Sequence, residues 1–327
     1  MKTIRILVAL MIVAGLISAC QKKAEPTPEL EKLSITLDWT PNTNHTGIYV
    51  AKELGYFTEQ GLDVVIQQPG QSVTDQIVGT GKSEFGVSYQ ENVIRARSEN
   101  IPLVSIAAVI QHNTSGFASL AEAGITSPND FMGKRYGSWD SPSEQAILKT
   151  IMSKAKADFS SVKIISGVYD FFSTIGKEAD FEWIYYGWDG VEAERRGIKL
   201  NYLPLKDLDP VFDYYTPVII SSENYLAKHP ETAKKLMAAL SKGYEYSIAN
   251  PIPAADILMK HVPELNAEQV KISMNYLARE YQAEASQWGI QKAEVWQRFI
   301  DWMYKERLIP ISVETSKAFT NEYLPSK

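Results

Sequence analysis

From Leu33 onward, short apolar runs alternate with segments of helical period. Leu33 to Leu37, Val64 to Ile66, Phe85 to Ser88, Leu103 to Ile110, Val162 to Ile165, Ile198 to Tyr202 and Val218 to Ile220 each read as a strand. Several of these runs are apolar without alternation, as expected where helices cover both faces of a largely parallel sheet. The clearest helix follows His229-Pro230-Glu231 and carries Ala233, Leu236, Met237, Leu240, Tyr244 and Ile248 on one face. Pro230 stands where a first turn tolerates proline, and Pro251 and Pro253 are expected to stop the helix. Val295, Trp296, Phe299, Ile300 and Met303 make a second apolar stripe. The last hundred residues are therefore expected to be mainly helical, with their tryptophans in the core.

This element order predicts an α/β chain with mainly parallel sheets flanked by helices. Polar stretches around His112 to Gly116 and Tyr214 to Pro217 are the candidate crossovers between two lobes. They divide the chain into a discontinuous lobe 1, residues 33–115 and 217–327, and an inserted lobe 2, residues 116–216, with a hinge between them.

The N-terminus reads differently. Lys2 and Arg5 precede an uncharged apolar run from Ile6 to Ile17, followed by Ser18-Ala19-Cys20. A run of this length suits a signal peptide, residues 1–19, since a spanning helix needs about 20 apolar residues. Cys20 is the sole cysteine of the 327 residues and stands where lipoprotein processing leaves a thiol for acylation. Residues 20–32 mix Lys, Glu, Thr and proline without an apolar period, as in a flexible tether. The chain is thus expected to be extracytoplasmic, anchored to the cell membrane through a lipid on Cys20, and free of disulfides.

Removing Lys2 and Arg5 with the leader moves the formal net charge from −6 to −8. An acidic chain without a Lys or Arg run lacks the footprint for polyanions, which argues against nucleic acid as a partner. About 308 residues remain, enough for two cores.

The most informative stretch is Asp38-Trp39-Thr40-Pro41-Asn42-Thr43-Asn44-His45-Thr46-Gly47, leaving the carboxyl end of the first strand and opening a helix. Ligands of α/β sheets bind at such ends. Trp39 lies in a polar, turn-forming loop and so is a candidate stacking plate, with Asp38 and Asn42 able to read the edge of a heterocycle. Asn42 is equally suited to capping the helix start. The four histidines are isolated, which disfavours metal, and His45 is expected to hydrogen-bond within the protein.

A second segment, Phe181 to Glu192, holds five aromatics between Phe181 and Trp188. On a strand, Phe181, Trp183 and Tyr185 share one face and read as core, while Tyr186, Gly187 and Trp188 at the strand end read as cleft. Glu192 is a candidate acceptor for an exocyclic amine or partner for a protonated ring nitrogen, although a first-turn carboxylate is also favoured by the helix dipole alone. Tyr89 and Tyr214 offer further walls, and strand-end tyrosines also serve as lids on a core.

Gly79-Thr80-Gly81-Lys82-Ser83 is no phosphate loop, since Gln76 stands where the first glycine belongs. Neither a G-x-S-x-G elbow nor a nucleophile, base and orienter set is visible.

Asp38-Trp39-x-Pro41-Asn42-x-x-His45-x-Gly47-x-Tyr49, Gly55-Tyr56-Phe57, Gly61-Leu62-Asp63-Val64, Phe85-Gly86-Val87 and Tyr186-Gly187-Trp188-Asp189-Gly190 together resemble the thiamine-precursor branch of the periplasmic binding protein superfamily, over about residues 33–250. Within it, the chain is most similar to formylaminopyrimidine-binding lipoproteins of thiamine-salvage ABC transporters. The resemblance implies the type II binding-protein fold, a formylaminopyrimidine or close analogue as ligand, a permease and an ATPase as partners, no cofactor or metal, and a monomer. Two alternatives remain: the same fold binding an aromatic sulfonate or another nitrogen heterocycle, and, more distantly, a pyrimidine synthase. Fungal synthases of this branch use a cysteine-rich motif that this sequence lacks, which favours a carrier over an enzyme.

Overall fold

The computed structural model describes residues 29–70 and 73–326. The leader, Cys20 and the tether up to residue 28 lie outside them. The chain builds β1 (Glu31–Thr36), β2 (Leu62–Gln67), β3 (Phe85–Ser88) and β4 (Leu103–Ala108), then β5 (Ser115–Leu120), β6 (Arg135–Ser138), β7 (Lys163–Ser166), β8 (Phe181–Tyr185) and β9 (Leu200–Pro204), and returns to β10 (Val218–Ser222). Among the described residues these strands form two five-stranded sheets, in the orders β2-β1-β3-β10-β4 and β7-β6-β8-β5-β9.

Each sheet is mixed, with four strands in one direction and one reversed. β1 pairs parallel with β2 and β3, and β10 runs antiparallel to β3 and β4. In the second sheet β6 pairs parallel with β7 and β8, and β5 runs antiparallel to β8 and β9. The reversed strands are those the chain enters directly from the other sheet. A parallel neighbour needs a long crossover, usually a full helix; β5 is entered from β4 without one, and β10 from β9 through only the short turns Leu205–Leu208 and Pro210–Phe212.

The expectation of a tether up to residue 32 needs correction, because β1 starts at Glu31. Glu31 pairs with Leu62, its amide donates to the Gly61 carbonyl at 2.9 Å, and its carboxylate accepts from Thr232 Oγ at 3.0 Å. A charged residue at a strand end carries no apolar signal, so periodicity missed it. β5 and β6 were missed for a related reason: glycine and serine interrupt their apolar pattern.

The helices that position the site are α1 (Thr46–Glu53), α2 (Gln90–Ser98), α3 (Pro142–Lys154), α4 (Val191–Arg195), α5 (Pro230–Ala249), α6 (Pro251–His261), α7 (Ala267–Glu280) and α8 (Ala293–Lys305). Pro251 does more than end α5: with Pro253 it lies in the first turn of α6, where a missing N–H costs nothing. α5 and α1 cross in van der Waals contact because Gly47 and Gly243 face each other. A Cβ on Gly243 would fall 2.1 Å from the Gly47 carbonyl oxygen. α8 packs on both sheets' layers, stacking Phe299 on Tyr214 at 4.2 Å and donating from the Trp302 indole to Thr150 Oγ on α3 at 3.2 Å. β4, at the edge of its sheet, is covered by the C-terminal segment through bridges from Ser105 to Phe319 and from Ala108 to Gly289.

The chain passes between the sheets twice, between Ala108 and Ser115 and between Phe212 and Val218. The two crossovers are tied together. Asp213 accepts from the Asn113 amide at 3.0 Å and from His112 Nδ1 at 2.8 Å, while His112 Nε2 reaches Glu284 at 2.9 Å. An imidazole facing two carboxylates must carry hydrogen on both nitrogens, so His112 is an imidazolium. Its hydrogen bond to Asp213, opposed by partial burial and helped by Glu284, raises it from 6.5 to about 9. A folded-state value raised in this way gives stability that is complete below pH 6.5 and lost as pH rises through about 9. The unfolding midpoint is accordingly expected to fall across that window, and His112→Gln to flatten the decline. An unchanged pH slope in the variant, followed by circular dichroism, assigns the dependence to another group.

Candidate ligand-binding site

The loop leaving β1 is built by its own side chains. Asn42 caps the following turn, its Oδ1 accepting from the Asn44 amide at 2.9 Å and its Nδ2 donating to the Thr40 carbonyl at 3.0 Å. The Asn42 amide donates to His45 Nδ1 at 3.1 Å. That nitrogen is therefore an acceptor, so the proton of a neutral ring is on Nε2, which donates to Asp38 Oδ1 at 2.6 Å. Asp38 Oδ2 accepts from the Tyr89 hydroxyl at 2.6 Å. Burial pushes the Asp38 carboxyl up, but His45 first and then Tyr89 outweigh it, and the net direction is below the ordinary 3.8. The outcome is an ionised carboxylate at the carboxyl end of β1 with Trp39, 53% exposed, next to it.

The helical tail holds this loop from behind. The Tyr244 hydroxyl donates to the Asn44 carbonyl at 2.8 Å, Tyr281 donates to the Thr43 carbonyl, and Thr43 Oγ lies 2.6 Å from Ser273 Oγ. In front of it, a cavity of about 180 Å³ lies at the carboxyl ends of β1 and β3, lined by Asp38, Val73, Asp75, Ser88, Tyr89 and Asn92 among others. Asp75 is held by Ser88 and, at 2.9 Å, by Asn92, and burial raises its carboxyl.

The facing wall comes from β8. Trp183 and Tyr185 point to the same side of the strand, and Trp139 from the loop after β6 lies against Trp183 with ring centroids 5.2 Å apart. Tyr185 lies beside Thr216 of the second crossover and within electrostatic range of Asp38 and Glu91. Four polar atoms buried here have no hydrogen-bond partner: Trp183 Nε1, Glu91 Oε2, the Tyr214 hydroxyl and Thr216 Oγ. Buried groups left unpaired cost about 1–3 kcal/mol each, more when charged, and call for an explanation. At the base of this wall only about 10 Å³ is left between Asn42, Asn44, Tyr185, Gly187 and Trp188, roughly the room for one water. The two halves are in contact.

Residues 42–254 match the model of a family described as NMT1/THI5 like. The chain belongs to the NMT1/THI5-like family. A formylaminopyrimidine-binding protein of Halalkalibacterium halodurans is 31% identical over 98% of this chain and 99% of its own length. The riboflavin-binding protein RibY of Chloroflexus aurantiacus is 24% identical over 99% of each chain. A 4-amino-5-hydroxymethyl-2-methylpyrimidine phosphate synthase of Saccharomyces cerevisiae, THI5, is 26% identical over 90% of this chain and 88% of its own. Among solved structures, the alkanesulfonate-binding protein SsuA of Xanthomonas axonopodis pv. citri, bound to MOPS, superposes with a TM-score of 0.68 at 15% identity, over 91% of this chain and 99% of that one. The fold is that of the periplasmic binding proteins, two α/β lobes with mixed sheets.

In this NMT1/THI5-like chain the residues singled out by sequence do not all fall in one place. Asp38 and Tyr89 come together at the cavity, and Trp39, next to Asp38 in the chain, stands exposed outside its lining. Gly187 and Trp188 dock on α7: Ser273 donates to the Gly187 carbonyl, Gln269 donates to the Trp188 carbonyl at 3.4 Å, and a Cβ on Gly187 would meet Leu277 at 2.9 Å. Asn42 serves as the cap and lines the narrow gap between the halves. Tyr186 and Glu192 are engaged elsewhere. The Tyr186 ring packs against Tyr202 and Tyr276 with its hydroxyl on Glu194. Glu192 holds Arg195 at 2.7 Å and Arg196 at 2.6 Å, the two hydrogen bonds that keep its carboxyl below the ordinary range. Tyr214 is buried against Phe299, within electrostatic range of Glu91 and Tyr185. Trp139 was passed over by the sequence reading and Tyr185 was read as core; Glu91 drew notice only as a neighbour of Tyr89 in the segment Tyr89-Gln90-Glu91-Asn92.

Tyr89→Phe leaves Asp38 Oδ2 buried with one donor fewer, a loss of about 1–3 kcal/mol near neutral pH. The lowered carboxyl of Asp38 contributes stability above pH 3.8 that is lost as pH falls through its folded value. In the variant that value rises, so acid unfolding is expected to begin at higher pH. Urea titrations from pH 3 to 7 measure both effects, and coincident curves would remove Tyr89 from the Asp38 site.

Proposed function

We propose that this protein is the solute-binding component of an ABC importer and that its ligand is a thiamine pyrimidine precursor, a formylaminopyrimidine or close analogue. The observation that carries the reading is an exposed indole, Trp39, set beside an ionised and rigidly held acceptor, Asp38, at the carboxyl end of β1. A flat, apolar-faced ring with a hydrogen-bonding edge matches that pair. The full-length formylaminopyrimidine-binding relative supports the ligand class, and the relatives' other names keep a larger nitrogen heterocycle as the second reading.

In this reading the ligand enters an open form on the lobe that carries Asp38, Trp39 and Tyr89, and rotation about the two crossovers brings Trp139, Trp183 and Tyr185 onto it. A permease and its ATPase receive the closed form. The protein is a carrier and not an enzyme: its single cysteine, Cys20, leaves no cysteine-rich motif such as the fungal synthases use. The leader and Cys20 support placement outside the cytoplasm on a lipid anchor. Among the described residues no helix is long and apolar enough to cross a membrane.

Base stacking on an aromatic is worth about 1–3 kcal/mol, so Trp39→Ala is expected to weaken binding by roughly 5- to 150-fold in calorimetric titration. Unchanged affinity would take Trp39 out of the site. A thermal-shift panel tests the ligand class, because saturation at 100 times Kd stabilises by about 2.7 kcal/mol. Stabilisation by alkanesulfonates or flavins without any by formylaminopyrimidine or hydroxymethylpyrimidine would overturn the pyrimidine reading.

A further inference from the structure

The four carboxylates Asp38, Asp75, Glu91 and Glu192 differ in what is left for a ligand, and Asp75 is held by Ser88 and Asn92. Both Asp38 oxygens already accept, from His45 and Tyr89. Glu192 is closed off by Arg195 and Arg196. Glu91 is different. It is the second residue of α2, directly after the Gln90 that follows Tyr89, and its Oε2 is buried without a hydrogen-bond partner.

The groups facing Glu91 come from every side of the cleft. They are Tyr89 at the end of β3, Asp75 ahead of β3, Tyr185 from β8, Tyr214 from the second crossover and Arg95 one turn further along α2. None of these pairs with its Oε2, the Tyr214 hydroxyl included, which is itself buried without a partner. The Tyr89 hydroxyl is committed to Asp38 and the Tyr185 hydroxyl lies against Thr216. The Arg95 guanidinium is turned away, donating to Ser143 Oγ at 2.9 Å and to the Leu308 carbonyl at 3.5 Å. Glu91 is thus a carboxyl at a helix N-terminus, near aromatic rings, with one buried oxygen that accepts from no partner and no ion pair among the described residues, Arg95 acting on it only at longer range.

We propose that Glu91 reads the ligand, holding the aminopyrimidine as its ring-protonated cation through one ring N–H and the adjacent exocyclic N–H. Protonation turns the amidine edge of such a ring into two parallel donors, which a carboxylate matches as it matches a guanidinium. The proton balance is simple. A neutral carboxyl of Glu91 passes its proton to the ring nitrogen on binding; once Glu91 is ionised, the proton is taken from solvent. Burial raises Glu91 to about 7, so the change between these regimes lies near neutrality. The inference rests on the aminopyrimidine reading above and adds to it a residue and a charge state.

The test is calorimetry of the full mature chain with hydroxymethylpyrimidine and formylaminopyrimidine, in buffers of differing ionisation enthalpy at pH 6 to 9. The expected result is proton uptake that rises toward one per ligand above pH 7, with Kd increasing about tenfold per pH unit at the alkaline end. Glu91→Gln, near in shape, is expected to lose the uptake and the pH slope, and Glu91→Asp to keep the uptake at reduced affinity. An analogue without the exocyclic amine is expected to bind the native protein and the Gln variant alike. Tight binding by the native protein with no proton uptake at any pH, or a Gln variant with the native pH profile, overturns the role of Glu91 and leaves the pyrimidine reading standing. Failure of the native protein to bind either pyrimidine takes down both.

Discussion

A single imidazole ring organises the cleft. His45 is fully buried, and its two nitrogens play opposite parts: Nδ1 accepts the Asn42 amide and Nε2 donates to Asp38. Because the backbone amide occupies Nδ1, the hydrogen on Nε2 is aimed at one place. His45 and Tyr89 together thereby hold the Asp38 carboxyl below its ordinary value against the cost of its burial. Asn42, closing the loop from the other end, ties the helix cap to the same ring. Between these fixed points Trp39 is left with nowhere to bury its indole, and its exposure follows from the hydrogen bonding around it.

The meeting of the two halves is governed by close approach. The turn Tyr186–Gly190 comes down on α7 with Gly187 against Leu277, at a distance that leaves no room for a side chain. Ser273 then lies between the halves, near Thr43 on one side and bonded to the Gly187 carbonyl on the other. Arg195 adds a longer-range tie to Glu268, at 3.4 Å. Contacts of this sort are short, polar and few, and so suit a surface that separates and rejoins, in contrast to the apolar packing of Phe299, Trp302 and Tyr214 beneath the crossovers.

Much of the architecture was legible because strand cores and α5 and α8 announce themselves by apolar period. The reversed strand β5 was not, since Ser115, Gly116 and Ser119 break its pattern, and Gly116 is there because the β9 backbone comes within van der Waals range. At the candidate site, the turn-rich loop pointed to Asp38 and Trp39, and the end of β3 to Tyr89. Glu192 and Glu91 were harder to separate, for both stand in the first turn of a helix after an aromatic strand end. What distinguishes them is tertiary: two arginines follow Glu192 on its own helix, whereas the one arginine near Glu91 points to α3. Tyr185 read as core from strand alternation, yet the end of a strand at a lobe boundary faces the gap.

The loop carrying Asp38 and Trp39 is written near the start of the chain, but its anchors, Tyr244, Ser273 and Tyr281, come some two hundred residues later. Contacts of such sequence separation form late, after the intervening chain has found its place. As the polypeptide emerges N-terminus first, the Asp38 loop exists long before anything holds it in register. That loop is therefore among the last parts of the protein to become itself, and a chain cut short before Tyr281 would carry every group of the loop while lacking the scaffold that gives those groups a fixed arrangement.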